Sequence, residues 1–341
     1  MNNNTFDFQK VSFVIPCYHS EKTLAAVVKE IDDTMSSCGR YSWEIVMVND
    51  GSADGTWDEI QRLCEEKAGR EGICFSRNFG QHAALMAGIR KAQGEVIVCL
   101  DDDGQTPADE ATKLLDALKA GADVVYASYD RKQHSGFRNF GTRMNEEMCR
   151  IMLDKPKDLK VTSYFAMRRF IADEVIRYEN SYPYLVGLVL RTTRNIVNVP
   201  VTHRKREAGR SGYTFSKLLG LWLNGFTAFS IKPLRIATAM GGVFAGLGFI
   251  YAVYTVIKKI INPAVPVGFS ALMTAILVIG GMLMAMLGMV GEYVGRTYIG
   301  ENRAPQYVIR QQTGRSEAQQ QPDAQDDLPG GAVIVKTRTV C

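Results

Sequence analysis

Between Val11 and Ala127, short apolar runs alternate with longer stretches in which apolar residues recur every three or four positions. The runs are Val11 to Ile15, Glu44 to Val48, Gly72 to Ser76, Glu95 to Leu100 and Ala122 to Ala127. The stretches between them are Glu21 to Ser37, Thr56 to Lys67, Gln81 to Ala92 and Pro107 to Lys119. Short apolar runs read as strands buried on both faces, and the spaced stretches read as helices with one apolar side. Strand and helix in strict turn predict βαβ units and an α/β fold with a mostly parallel, doubly wound sheet. From Tyr129 to Arg210 the pattern is less regular and rich in arginine, and no internal repeat is evident.

The pattern changes beyond that point. Thr214 to Ile231 places Phe215, Leu218, Leu219, Trp222, Leu223, Phe226 and Phe229 at helical spacing with Lys217 and Lys232 at its edges. It reads as a helix lying at a bilayer interface, with a core helix of the soluble domain as the alternative. Ile236 to Ile257 and Ile260 to Gly291 contain no charged residue. Each is long enough to cross a hydrocarbon core of about 30 Å. Asn262, Pro263 and Pro266 break the start of the second, which leaves Val267 to Gly291 as its spanning helix. The glycines at 241, 242, 246, 248, 280 and 281 suit membrane helices better than soluble ones. Small residues at these positions also permit close helix packing and a homo-oligomer, without fixing a stoichiometry.

The expected organisation is therefore a large α/β domain over 1–212, an interfacial helix over 213–233, membrane helices over 234–259 and 267–292, a cytoplasmic segment over 293–310 and a disordered tail over 311–341. Arg204, Lys205, Arg206, Arg210, Lys217, Lys232 and Arg235 precede the first span, and Arg296, Arg303 and Arg310 follow the second. Only Lys258 and Lys259 lie between them, so the positive-inside rule puts both ends, and the large domain, on the cytoplasmic face of the inner (plasma) membrane.

Composition narrows the function. A net charge of +4 over 341 residues is too mild for a nucleic-acid binder. The seven cysteines stand alone with no Cys-x-x-Cys pair, which argues against a zinc site or a disulfide scaffold and fits a reducing compartment. Met1 to Thr5 is polar, so no cleaved export signal is expected.

Candidate chemistry lies at the strand ends. The first run ends at Pro16-Cys17-Tyr18 before Glu21, the second at Asn49-Asp50-Gly51-Ser52, the third at Arg77-Asn78-Phe79-Gly80-Gln81, and the fourth at Asp101-Asp102-Asp103. In open α/β sheets, ligands bind at the carboxyl ends of the strands. Three adjacent carboxylates repel one another, and a divalent cation bridging to a phosphate would compensate them. An acidic turn that caps a helix is the alternative for the triplet, as an ordinary turn is for Asp50-Gly51-Ser52. No Gly-x-x-x-x-Gly-Lys run and no Gly-x-Gly-x-x-Gly after the first strand is present to cradle phosphates. His82 and His203 lack a carboxylate or cysteine at ligand spacing and read as structural or surface groups. Glu292 and Arg296 stand at i,i+4 spacing and read as a salt bridge at the membrane edge.

Taken together, these segments resemble the family 2 glycosyltransferases of GT-A, Rossmann-like fold, and within them the polyisoprenyl-phosphate glycosyltransferases related to dolichyl-phosphate mannose synthase. The resemblance is carried by Val14-Ile15-Pro16-Cys17-Tyr18, Val48-Asn49-Asp50-Gly51-Ser52 with Asp54-Gly55-Thr56, Arg77-Asn78-Phe79-Gly80, Asp101 to Pro107, and Gly291-Glu292-Tyr293-Val294-Gly295-Arg296. It runs from about Val11 to Arg310. It implies an inverting transfer of one sugar from a nucleotide diphosphate sugar, by analogy a UDP-sugar, to a polyprenyl phosphate such as undecaprenyl phosphate. Asp101, Asp103 and Gln105 then carry catalysis, and Asp101 and Asp103 hold Mg²⁺ or Mn²⁺. Pro16, Tyr18, Glu21, Asp50, Arg77 and Asp102 face the nucleotide. Arg131, Arg138, Arg206, Arg210 and Ser211 face the phosphates and the acceptor. Two departures from the resemblance stand out: Asp102 occupies a position where the family usually has a small residue, and Gly212 one where many relatives have lysine.

Other readings compete. A processive polysaccharide synthase would carry Gln-x-x-Arg-Trp, yet none of Trp43, Trp57 and Trp222 follows an arginine. A transferase acting on diacylglycerol, or a non-catalytic membrane protein that only binds nucleotide sugar, makes different predictions about the lipid needed for nucleotide release.

Overall fold

The computed structural model describes residues 6–129, 150, 155–181, 183–202, 232–262, 268–302 and 305–313. The strands are β1 (Lys10–Cys17), β2 (Ser42–Asn49), β3 (Arg70–Phe75), β4 (Val96–Cys99), β5 (Val124–Tyr129), β6 (Phe165–Arg168), β7 (Ile196–Val201) and β8 (Ile309–Thr313). The helices are α1 (Leu24–Cys38), α2 (Thr56–Glu66), α3 (Gln81–Lys91), α4 (Ala111–Lys119, after a 3₁₀ turn at Ala108–Glu110), α5 (Arg169–Ile176), α6 (Leu185–Thr192), α7 (Lys232–Ile261) and α8 (Phe269–Glu301). All five predicted strands and all four predicted helices of the first part are present, with boundaries moved by a few residues.

The strands form one sheet in the order β7-β5-β6-β4-β1-β2-β3-β8. Six run in one direction, and β6 and β8 run against them. Successive residues of the central strands enter opposite cores. Phe13, Ile15, Met47 and Val98 pack with α1 and α4 on one face. Val14, Val48, Ile97 and Cys99 pack with α3, α5 and α6 on the other. That double burial explains why these strands read as unbroken apolar runs. Helix α1 buries Leu24, Val27, Val28, Ile31 and Met35 along one stripe and ends at Gly39, whose left-handed φ of 60° lets its N–H reach Met35 O. Helix α3 lies so close to β1 that a Cβ on Gly88 would sit 2.3 Å from Val14 Cγ1.

Strand β6 is inserted antiparallel between β4 and β5, within the stretch whose pattern is irregular. The end of the chain also departs from expectation. Residues 309–313, three of them inside the expected disordered tail, form β8 against β3. The strand is polar and exposed, so its order comes from the free edge of β3 rather than from a pattern of its own. The interfacial helix expected over 213–233 lies almost wholly outside the described residues.

Helices α7 and α8 are 30 and 33 residues long. Among the described residues, no helix is long and apolar enough to cross a membrane. The helices nevertheless expose large apolar side chains, with Phe249, Ile260 and Met284 at 72%, 73% and 71% exposure. The Glu292 and Arg296 side chains lie outside the described set.

Candidate active site

The crevice opens where strand order reverses, on either side of β1. Pairing of β1 with β4 stops at Val14 and Cys99, while pairing with β2 continues to Cys17 and Asn49. Val14 O still accepts the Leu100 N–H on the β4 side, and Cys17 O accepts the Asp50 N–H on the β2 side. Alternation turns Pro16 towards β4, just past the last pair, where its missing N–H costs no ladder bond. Beyond this point β4 leaves β1, and Asp101, Asp102 and Asp103 occupy the opening.

The three carboxylates have different partners. Asp101 Oδ1 accepts from Gln81 Nε2 at 2.9 Å, and its Oδ2 accepts from the Ser163 hydroxyl. Burial pushes its pKa up to about 6, with Asp103 and Asp102 adding to the rise against these hydrogen bonds. Asp102 Oδ2 accepts the Tyr18 N–H at 3.0 Å and the Ser20 hydroxyl, and burial raises its pKa against both bonds. Asp103 Oδ1 accepts the Gln105 N–H at 3.0 Å across a turn that continues through Gly104 at φ 72°. The anomalous middle aspartate therefore faces the β1 turn, while its neighbours flank it.

The second strand end is built as tightly. Asp50 is 3% exposed, and its two oxygens accept the Phe79 N–H at 2.7 Å and the Gly80 N–H at 2.9 Å. Burial pushes its pKa up to about 6 against those two bonds. Gly51 adopts φ 66°, and a Cβ there would lie 2.3 Å from the Arg77 carbonyl carbon. The β2 end is thus pressed against the turn after β3. Arg77 is exposed and lies 4.4 Å over the Phe79 ring. Glu21 is exposed and accepts the Gly55 N–H at 3.2 Å.

Several neighbours have no signal in the sequence. Ser163 comes from 62 positions beyond Asp101 and reaches it only because β6 enters the sheet beside β4. Gln81 and Ser20 lie in the right loops, but nothing in their spacing marks a contact with the triplet. Of the two histidines among the described residues, His19 rather than His82 stands at this crevice. Its φ is 57°, its N–H donates to Ser52 Oγ at 3.1 Å, and its Nδ1 lies 3.7 Å from Asp54 Oδ2. His82 packs edge-on against Tyr184 at 5.3 Å. His203 and the predicted phosphate and acceptor residues Arg131, Arg138, Arg206, Arg210 and Ser211 lie outside the described residues.

Burial raises the Cys17 and Cys99 thiols, with Asp102 and Asp101 respectively reinforcing the rise. Both stay protonated near neutral pH, so neither supplies a nucleophile. Among the described residues, no group of three or more His, Cys, Asp or Glu side chains is arranged to hold a metal ion. Magnesium-type sites rarely need such a group, because one or two carboxylates and the substrate phosphates complete the shell. Adjacent hard oxygen donors, of which Asp101 is lifted to about 6 by burial and further by the repulsion of its neighbours, fit a divalent cation of that kind.

Known proteins resemble this chain along most of its length. The model of glycosyl transferase family 2 matches residues 12–176, and the GtrB C-terminal hairpin model matches residues 232–297. A Proteus mirabilis protein named undecaprenyl-phosphate 4-deoxy-4-formamido-L-arabinose transferase is 31% identical over 326 residues, covering 91% of this chain and 96% of its own. The Bacillus subtilis protein named as the uncharacterized glycosyltransferase YkcC is 30% identical over 304 residues, covering 89% and 94% respectively. A crystal structure of a mycobacterial protein shares the fold, with a TM-score of 0.51 at 16% identity over 65% of this chain and 75% of that one. By its similarity to relatives along nearly its whole length, the chain belongs to glycosyl transferase family 2 and is a glycosyltransferase.

Proposed function

We propose that the chain is a membrane-anchored, metal-dependent, inverting glycosyltransferase that moves one sugar from a nucleotide diphosphate sugar, in the first instance a UDP-sugar, to a polyprenyl phosphate such as undecaprenyl phosphate. The observation that carries this reading is the acidic triplet that follows β4, whose Asp102 accepts the Tyr18 N–H at the end of β1, in a chain similar along its length to a named undecaprenyl-phosphate sugar transferase. The anchor is supported by the apolar exposure of α7 and α8 and by the absence of charge from Ile236 to Ile257 and from Ile260 to Gly291. At about 1.5 Å per residue, their length alone exceeds a hydrocarbon core of about 30 Å. Both ends then face the cytoplasm.

Asp101 and Asp103 would hold Mg²⁺ or Mn²⁺, which when bound neutralises charge on the departing diphosphate. Asp102 fixes the turn that carries Tyr18, and Asp50 fixes the turn that carries Arg77 and Phe79, so both walls of the nucleotide site are set before the donor arrives. A phosphate monoester has its second pKa near 6 and is already largely dianionic at neutral pH. It needs orientation more than a base. Its oxygen attacks the anomeric carbon from the face opposite the diphosphate, a carbon–oxygen bond forms, and the nucleotide leaves with the electrons of the broken bond. Arg131, Arg138, Arg206, Arg210 and Ser211 are the groups proposed to place that phosphate, and arginine suits the role through its bidentate fork.

The test is a donor panel with detergent-purified full-length protein, polyprenyl phosphate and Mg²⁺ or Mn²⁺, read as nucleotide release and as the mass of the lipid product. Release that requires both the lipid phosphate and the metal, and that is lost in Asp103→Ala with the fold intact, is expected. Equal turnover on diacylglycerol, or full activity of Asp103→Ala, overturns the reading.

A further inference from the structure

The chain returns to the catalytic domain after α8, and the return is built around Arg90. Its guanidinium donates to Gln306 Oε1 at 3.1 Å and the Tyr307 hydroxyl at 3.0 Å through Nη1. Through Nη2 it donates to Ile176 O at 3.1 Å and Tyr178 O at 3.2 Å. Gln306, only 8% exposed, in turn donates to Tyr178 O at 2.6 Å and Asn180 O at 2.9 Å. A buried amide and a charged fork with this many partners hold the segment in one place. From there Val308 O accepts the Ser76 N–H at 2.9 Å, and β8 pairs with β3 from Gly72 to Phe75.

This packing leads straight to the nucleotide wall. The Tyr307 ring stacks on Phe75 at 4.9 Å and 10°, and Phe75 meets Phe79 edge-on at 5.7 Å. Phe79 and its neighbour Gly80 supply the two amides that hold Asp50. One continuous row, from Tyr307 through Phe75 to Phe79, therefore joins the segment after the helical hairpin to the turn beneath Asp50. Without that segment β3 becomes an open sheet edge, and Phe75 loses its cover.

We infer that residues 305–313 are a positioning element of the donor site: by seating Tyr307 on Phe75 and β8 on β3, they hold the Arg77–Gly80 turn in the conformation that binds the nucleotide. The role assigned to the donor rests on the proposed function, whereas the mechanical link to the turn does not. Coupling of this kind makes donor binding depend on the segment that follows α8.

The experiment uses the full chain in detergent and two readouts, amide exchange of Phe79 and Gly80 and the separate KM values for donor and acceptor. Tyr307→Ala is expected to speed exchange at these two amides ahead of the rest of the sheet. It should also raise the donor KM about tenfold with the acceptor KM within about twofold, the size of effect that removing one packed ring commonly has. Tyr307→Phe, which keeps the ring over Phe75, stays within about twofold of wild type on both readouts. Removing 305–341 reproduces Tyr307→Ala more strongly, and removing only 314–341 leaves both readouts unchanged. Unaltered exchange at Phe79 and Gly80 in Tyr307→Ala overturns the inference. So does a uniform rise in exchange with equal changes in both KM values, which marks a merely structural role. If wild type releases no nucleotide from any donor, the proposed function fails, and the exchange data still decide the link.

Discussion

Ser20 and Tyr18 converge on one oxygen of Asp102: the Ser20 hydroxyl and the Tyr18 N–H both donate to Oδ2. The middle aspartate of the triplet thereby ties the β1–α1 turn to the end of β4 across the crevice. Its neighbours turn to other partners, Asp101 to Gln81 and Ser163 and Asp103 to the Gln105 amide. The middle carboxylate of the triplet is thus occupied in placing Tyr18.

Asparagine at position 102 retains an oxygen that can accept both donors, and alanine does not. Asp102→Asn should keep the donor KM within about threefold, while Asp102→Ala should raise it about tenfold, as expected for losing about 1.4 kcal/mol of positioning. The metal concentration giving half-maximal rate should stay put in both variants. A shift of that midpoint in Asp102→Ala, comparable to the shift in Asp101→Ala, would show Asp102 to be a metal ligand instead.

Gly51 is the tightest backbone approach of the site. Its φ of 66° disfavours any side chain, and a Cβ would meet Arg77 C at 2.3 Å, Asn78 N at 2.6 Å and Arg77 O at 2.7 Å, all backbone atoms that cannot swing aside. Gly51→Ala should cost about 3 kcal/mol and push the Arg77–Gly80 turn away from Asp50. A thermal midpoint lowered by roughly 5–10 °C, together with weaker donor binding, is the expected result. An unchanged midpoint would mean that the two turns do not press on one another.

What could be read from the chain and what could not differ by where the ordering force lies. Strands such as Val96–Cys99 and helices such as Leu24–Cys38 carry their burial in their own sequence, as an apolar run or a stripe at three- and four-residue spacing. Phe165–Arg168 is only four residues long and becomes a strand by fitting between β4 and β5, a pairing over long separations that no local pattern announces. Ile309–Thr313 is polar but for Ile309, and only the open edge of β3 makes it a strand. The site divides in the same way. Asp50 and the triplet are legible because they end apolar runs. Ser163, Ser20 and Gln81 are not, because each is selected by the tertiary position of a carboxylate. The proposed roles of the arginines at 131, 138, 206 and 210 rest on resemblance alone.

His82 makes acid sensitivity of the fold testable. Its Nδ1 is shut away without a partner, and burial pushes its pKa down from 6.5 to about 4. A depressed folded-state pKa means that the neutral form is preferred in the fold. The resulting stability is fully present above pH 6.5 and is lost as pH falls through about 4. The loss from this group approaches ~3 kcal/mol. His82→Phe keeps a ring against Tyr184 and cannot titrate. Denaturant titrations at several pH values should show the variant gaining on wild type by about that amount between pH 7 and pH 4. A difference that does not vary with pH would mean that His82 is protonated without cost.

Asp50 should behave in the opposite sense. Burial lifts its pKa from 3.8 to about 6 although both oxygens accept backbone amides. A raised carboxyl pKa means that the fold prefers the protonated form, so this contribution is fully present below pH 3.8 and is lost as pH rises through about 6. Asp50→Asn abolishes the titration but sets an NH₂ group against one of the two N–H donors, at a cost of about 1–3 kcal/mol. At pH 4 the variant should therefore be the less stable protein. Between pH 4 and pH 7.5 its stability relative to wild type should improve by about 2.4 kcal/mol, as the charge that wild type must keep buried develops. Donor affinity is expected to fall at every pH, because the turn carrying Phe79 and Gly80 loses one of its two anchors. If the stability difference is the same at both pH values, the Asp50 carboxyl is ionised at ordinary cost, and the two amides outweigh its burial.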